Sequence, residues 1–114
     1  MLIQINTDRN VEGDEALSSR VEQTLRSSLD RFSDRLTRVE VHLGDENSDK
    51  KQGGDDKRCL LEARPSGLKP IAVSHNAPTI ELAVDGAVDR FLRALDTELG
   101  KLDRQRRRPG NAPG

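Results

Sequence analysis

The sequence has no tryptophan and no tyrosine, and its only aromatic rings besides histidine are Phe32 and Phe91. That absence argues against a platform for single-stranded nucleic acid, where bases stack on exposed rings. Cysteine is just as scarce. Cys59 stands alone, which excludes an intramolecular disulfide and a cysteine-rich metal site. It lies in the strand-like run "RCLLEAR", where a small buried hydrophobe is the expected role rather than a nucleophile. Long apolar runs are missing, and "MLIQINTDRN" has no charged segment followed by an apolar one. A soluble, cytoplasmic protein is expected. Neither charge is in excess: 19 Lys and Arg stand against 20 Asp and Glu, a net charge of −1. Any affinity for a polyanion must come from where the charges are placed.

What the chain does have is periodicity. Its 114 residues, 32% hydrophobic and 34% charged, suffice for one domain with an economical aliphatic core. "LIQINT" alternates Ile3 and Ile5 with Gln4 and Asn6, the pattern of a half-buried strand. From Asp14 to about Asp34, Leu17, Val21, Leu25, Leu29 and Phe32 recur at helical steps, with Asp14 and Glu15 in the first turn. "TRVEVHLG" returns to period two, with Val39, Val41 and Leu43 on one face and Arg38, Glu40 and His42 on the other. Residues 44–57 contain no hydrophobic residue and several glycines, so a mobile hairpin loop is expected there. "CLLEAR" reads as a third strand, "PSG" as a turn, and "KPIAVSH" as a short fourth strand with Pro70 at its start or edge.

"NAPT" then offers Asn76 or Thr79 as a helix cap. Ile80, Val84, Ala87, Val88, Phe91, Leu95, Leu99 and Leu102 define a second helix, running to about Arg108. Gly86 inside it costs about 1 kcal/mol against alanine, a loss that the long apolar stripe is expected to offset. Residues 109–114 read as a disordered tail, leaving 1–108 as the single domain. The order β-α-β-β-β-α predicts an α+β fold: a two-layer sandwich with a mixed four-stranded sheet and both helices packed on one face.

The charges of the second helix are sorted. Advancing about 100° per residue, Asp85, Asp89, Asp96 and Asp103 gather on one flank of the apolar stripe. Arg90, Arg93, Lys101 and Arg104 gather on the other, and Arg107 and Arg108 extend the positive end. Part of this has an ordinary explanation. Arg93 follows Asp89 by four residues and Arg107 follows Asp103 by four, the spacing of intrahelical pairs, and cations near a helix C-terminus complement its dipole. A basic stripe along the whole helix goes further and fits phosphate contacts along a nucleic-acid backbone. On the first helix Arg20, Arg31 and Arg35 flank one edge of the apolar face, among Glu15, Glu22, Asp30 and Asp34.

No catalytic constellation emerges. His42 and His75 fall on separate strands, and His42 has the parity of the solvent face. "DENSD" lacks the ordered spacing of a calcium loop, and no phosphate-cradling glycine motif leads into a helix. The expectation is a protein that is not an enzyme and needs no metal or cofactor.

The element order, the helix "ALSSRVEQTLRSSLDRF" leading into "LTRVEVHL", and the helix "AVDGAVDRFLRAL" resemble the ribosome hibernation-promoting factor and ribosome-associated translation inhibitor family. The resemblance spans about residues 1–108 and is to the short type, without the further C-terminal domain of long members. It implies a stress and stationary-phase factor that binds the small ribosomal subunit through ribosomal RNA. Such a factor occupies the channel for messenger and transfer RNA and so promotes hibernation. Arg90 and Arg93 match positions that are typically basic in the family's second helix. Arg20, Arg31 and Arg35 lie along the first helix, where relatives also carry positive charge. Lys101, Arg104, Arg107 and Arg108 complete the expected RNA-binding set. A monomer off the ribosome is expected, with no membrane or small-molecule partner. The alternative is a protein-interaction regulator on the same scaffold with weak or no RNA binding.

Overall fold

A computed structural model of the chain describes residues 1–8, 15–45 and 56–111, with side chains described as far as residue 105. Alternation in "LIQINT" becomes strand β1, Leu2–Thr7, with Ile3 and Ile5 turned inward. Helix α1 spans Glu15–Leu29 and buries Leu17, Val21, Leu25 and Leu29. Strands β2, Leu36–Asp45, β3, Lys57–Pro65, and β4, Ile71–Ala77, follow, and helix α2 runs from Ile80 to Asn111.

The sheet order is β1-β2-β3-β4. β1 lies parallel to β2, with Ile3 opposite Val39 and Ile5 opposite Val41, as a crossover through α1 requires. The two later pairings are antiparallel. Val39, Val41 and Leu43 of β2 and Cys59 and Leu61 of β3 form one apolar face. Val84, Val88, Phe91 and Leu95 of α2 join them in one core with α1's leucines. The α+β sandwich expected from the periodicity is the fold observed. Burial pushes the Cys59 thiol up from 9.0 to about 12, so it stays protonated at neutral pH and behaves as a hydrophobe.

Several boundaries differ from the expected ones. α1 stops at Leu29, where a tighter turn, Asp30–Phe32, takes over. Ser33 N–H donates to the Asp30 carbonyl at 3.0 Å and Arg35 N–H to that of Phe32 at 2.8 Å. This i→i+3 winding leaves Phe32 half-buried beneath the Arg31 guanidinium, 4.6 Å from its ring centre. β2 and β3 extend into the stretch read as loop: Gly44 pairs with Arg58 and Asp45 with Lys57. Here ion pairing replaces apolar alternation. Lys57 Nζ lies 3.3 Å from Asp45 Oδ2 and 3.6 Å from Asp56 Oδ2. The hydrogen bond to Asp45 chiefly raises the Lys57 pKa. The remainder of that expected loop, 46–55, lies outside the described residues, as do Asp14 and the end of the tail, 112–114.

Of the two candidate caps, Thr79 serves. Its Oγ1 accepts the Leu82 N–H at 3.1 Å, whereas Asn76 belongs to β4. Gly86 has a more specific reason to be glycine than stripe packing. A Cβ there would overlap the His75 ring, so the helix approaches β4 only because residue 86 has no side chain. His75, half-buried on β4, is thus a contact between the two layers. Gly67, at φ +80°, turns the chain between β3 and β4. Arg35 Nη1 pins that turn by donating to the Ser66 carbonyl at 2.8 Å.

Candidate nucleic-acid interface

The 32 residues of α2 span about 48 Å at 1.5 Å per residue. Full burial ends at Leu95; Leu99 and Leu102 are half-covered. From Asp103 to Arg108 the helix carries no apolar residue, and it continues to Asn111, three residues past the expected end. Among the described side chains past Leu102, Asp103, Arg104 and Gln105 are all exposed to solvent.

The two charged flanks of α2 meet different neighbours. The acidic flank faces α1. Arg20 Nε lies 3.2 Å from Glu81 Oε2, and Arg31 Nη2 lies 3.8 Å from Asp96 Oδ2. Arg20, Val21 and Thr24 share a shallow groove of about 150 Å³ with Glu81, Val84 and Asp85. The other side of α2 overlooks the beginning of β4. Ala94 and Glu98 line a hollow of about 370 Å³ with Lys69, Pro70, Ile71 and Ala72. Arg90 sits one turn before Ala94, and Lys101 three residues after Glu98, on this same side.

Partners divide the expected RNA-binding residues. Arg90 and Arg104 are exposed and have no acidic partner among the described residues. Arg93 is exposed but pairs with Asp89 at 3.0 Å, and Lys101 with Glu98 at 3.4 Å. Arg20 and Arg31 are paired across to α2, and half-buried Arg35 holds the Ser66 turn. Arg107 and Arg108 fall within the helix, but their side chains lie outside those described. Exposed ion pairs are worth only about 0–1 kcal/mol. A phosphate could therefore displace them, but at Arg90 and Arg104 it meets no acidic partner to displace among the described residues.

Lys69 is a cation that sequence reasoning passed over. It is exposed, without an acidic partner among the described residues, and beside the β4-facing flank of α2. Its signal was topological, since only the position of β4 at the sheet edge brings it near α2. Arg64 is likewise exposed and unpaired among the described residues, but it lies on the sheet face away from the helices. That open face also gathers Glu40 and His42, which period-two parity placed opposite the apolar face of β2, with Glu62 of β3. Among the described residues, no helix is long and apolar enough to cross a membrane.

A four-stranded mixed sheet with two helices on one face, one of them overhanging with sorted charge, defines a class of small α+β domains. The profile of the family described as Sigma 54 modulation protein / S30EA ribosomal protein matches residues 3–103. The chain belongs to that family, the ribosome-associated one its sequence pattern resembles. The N-terminal domain of Protein Y from Thermus thermophilus is similar in structure, with a TM-score of 0.62 at 25% identity. That match covers 90% of this chain and 99% of the other. A ribosomal subunit interface protein from Coxiella burnetii shares the fold, with a TM-score of 0.61 at 18% identity, covering 90% of this chain and 98% of that one. Among curated proteins nothing matches.

Proposed function

We propose that the protein is a non-enzymatic, cytoplasmic hibernation factor. It binds the small ribosomal subunit through ribosomal RNA and occupies the channel for messenger and transfer RNA, which halts translation. Family membership supports ribosome association, as does the printed description of the Coxiella burnetii protein as a ribosomal subunit interface protein. The observation that carries the RNA reading is that Arg90 and Arg104, on the flank of α2 away from α1, have no acidic partner among the described residues. Lys69 adds a third cation on the same side. Phosphate contacts need cations whose neighbours do not already neutralise them, and a chain of net charge −1 supplies few. On this reading Arg20 of α1 and Arg31 of the turn after it chiefly join that segment to α2.

Sedimentation of the purified protein with isolated small and large subunits tests the proposal. It should travel with the small subunit, and excess messenger RNA with transfer RNA should displace it. Association with the large subunit alone, or binding unaffected by those RNAs, would overturn the channel assignment. No association with either subunit would favour a protein-interaction regulator on this scaffold.

A further inference from the structure

On the open face of the sheet, Glu40 stands directly opposite Glu62 across β2 and β3. Like charges in that relation destabilise a sheet. His42, two residues along on the same face as Glu40, reaches both: its Nε2 lies 3.8 Å from Glu40 Oε1 and 3.5 Å from Glu62 Oε1. One ligand atom from each of the three residues lies within 4.8 Å of the others. All three side chains are only partly exposed, at 34%, 43% and 46%.

We propose that Glu40, His42 and Glu62 form a binding site for a divalent transition cation, with zinc as the best fit. With bonds of about 2.0–2.2 Å to nitrogen and oxygen, neighbouring donors of a tetrahedral zinc site lie roughly 3.3–3.6 Å apart. The two histidine–carboxylate separations already approach that spacing. One imidazole and two carboxylates are also the donor types that suit zinc rather than calcium or magnesium, which take oxygen ligands.

A second observation points to a cation independently of the donor spacing. The facing carboxylates carry two negative charges, and just one of them has an arginine. Arg38 Nη2 lies 2.9 Å from Oε2 of Glu40, the oxygen that is not turned toward His42. That contact holds the carboxylate from outside, with Arg38 in turn donating to Gln4, and leaves Oε1 free for a metal. Among the described residues, Glu62 has no cation against it except His42 when protonated. Glu40 and Glu62 also border a hollow of about 380 Å³ on this open face. The site lies on the face away from both helices and is independent of the proposed RNA contacts.

The test is calorimetric titration of tag-free protein with zinc chloride, together with melting curves with and without zinc. Zinc should bind with a stoichiometry of one per chain and raise the melting temperature. Both effects should vanish in His42→Ala. In Glu62→Gln the affinity should fall by roughly tenfold or more, the scale on which even outer partners of a metal act. Asp85→Asn, a carboxylate on the opposite layer, should bind zinc as the unmodified chain does. Circular dichroism of each variant verifies that it folds. Absence of zinc binding in the unmodified chain would overturn the site, and so would binding that survives His42→Ala or Glu62→Gln unchanged.

Discussion

Arg20 of α1 and Arg31 of the turn that follows it are the same residue type as the arginines of α2's far flank, yet the two sets occupy opposite situations. Arg20 and Arg31 lie against the acidic flank of α2 and are answered by Glu81 and Asp96. Arg90 and Arg104 point away from α1, and no carboxylate answers them among the described residues. Counting cations does not distinguish the two sets. The distinction comes from how the second helix is rotated on the sheet, and the core fixes that rotation. Phe91, Val84 and Leu95 face inward, so the aspartates turn to α1 and the cations turn to the side of β4.

Removing the fixture should erase the contrast altogether. Phe91→Ala leaves a cavity where a fully buried ring was, and should cost about 3–5 kcal/mol in a denaturant titration. Such a loss is a large part of the stability of a domain this size. A cost under about 1 kcal/mol would mean that α2 packs through another face.

A smaller perturbation should tilt the helix while keeping it. In an exposed helix, Gly86→Ala would stabilise by about 1 kcal/mol through helix propensity. Here the added methyl meets the His75 ring, so we expect destabilisation of about 1–3 kcal/mol, the usual range for overpacking. Gly86→Ala combined with His75→Ala should recover part of the loss. A plain gain in stability from Gly86→Ala alone would contradict the close approach of α2 to β4.

Smallest is the effect of opening the interhelical pairs. Arg20→Ala and Glu81→Ala should each cost less than about 1 kcal/mol, because both side chains are more than half exposed. A double-mutant cycle between them should give a coupling of no more than a few tenths up to about 1 kcal/mol, shrinking with salt. A coupling well above about 1 kcal/mol, or one that does not shrink with salt, would contradict an exposed contact of this kind.

Most of this architecture was legible in the residues because it rests on local periodicity. Val39, Val41 and Leu43 announce β2's inner face, and the stripe from Ile80 to Leu102 announces α2. Legibility failed where an interaction joins elements distant in sequence. Gly86 reads as a propensity penalty until His75 is brought over it from β4. Gly44, Asp45 and Lys57 read as loop because a cross-strand ion pair leaves no hydrophobic trace. The candidate interface divides in the same way. The sorting of charge on α2 follows from helical geometry and could be read directly. Which arginines are already neutralised could not, because Arg20 and Glu81 are 61 residues apart. The cluster of Glu40, His42 and Glu62 needed the β2–β3 register, which depends on where the hairpin pairs.

The contrast between the two arginine sets can be measured as a salt dependence. Binding to isolated small subunits should be titrated over a range of salt for three proteins: the unmodified chain, Arg90→Ala with Arg104→Ala, and Arg20→Ala with Arg31→Ala. Each lost phosphate contact flattens the slope of log affinity against log salt by about 0.7–0.9. The first double variant should therefore bind more weakly, with a slope shallower by about 1.4–1.8. The second should keep the slope of the unmodified chain. If the Arg20 and Arg31 variant loses slope while the Arg90 and Arg104 variant keeps it, or if neither slope changes, the flank of α2 that carries Arg90 and Arg104 is not where the protein meets RNA.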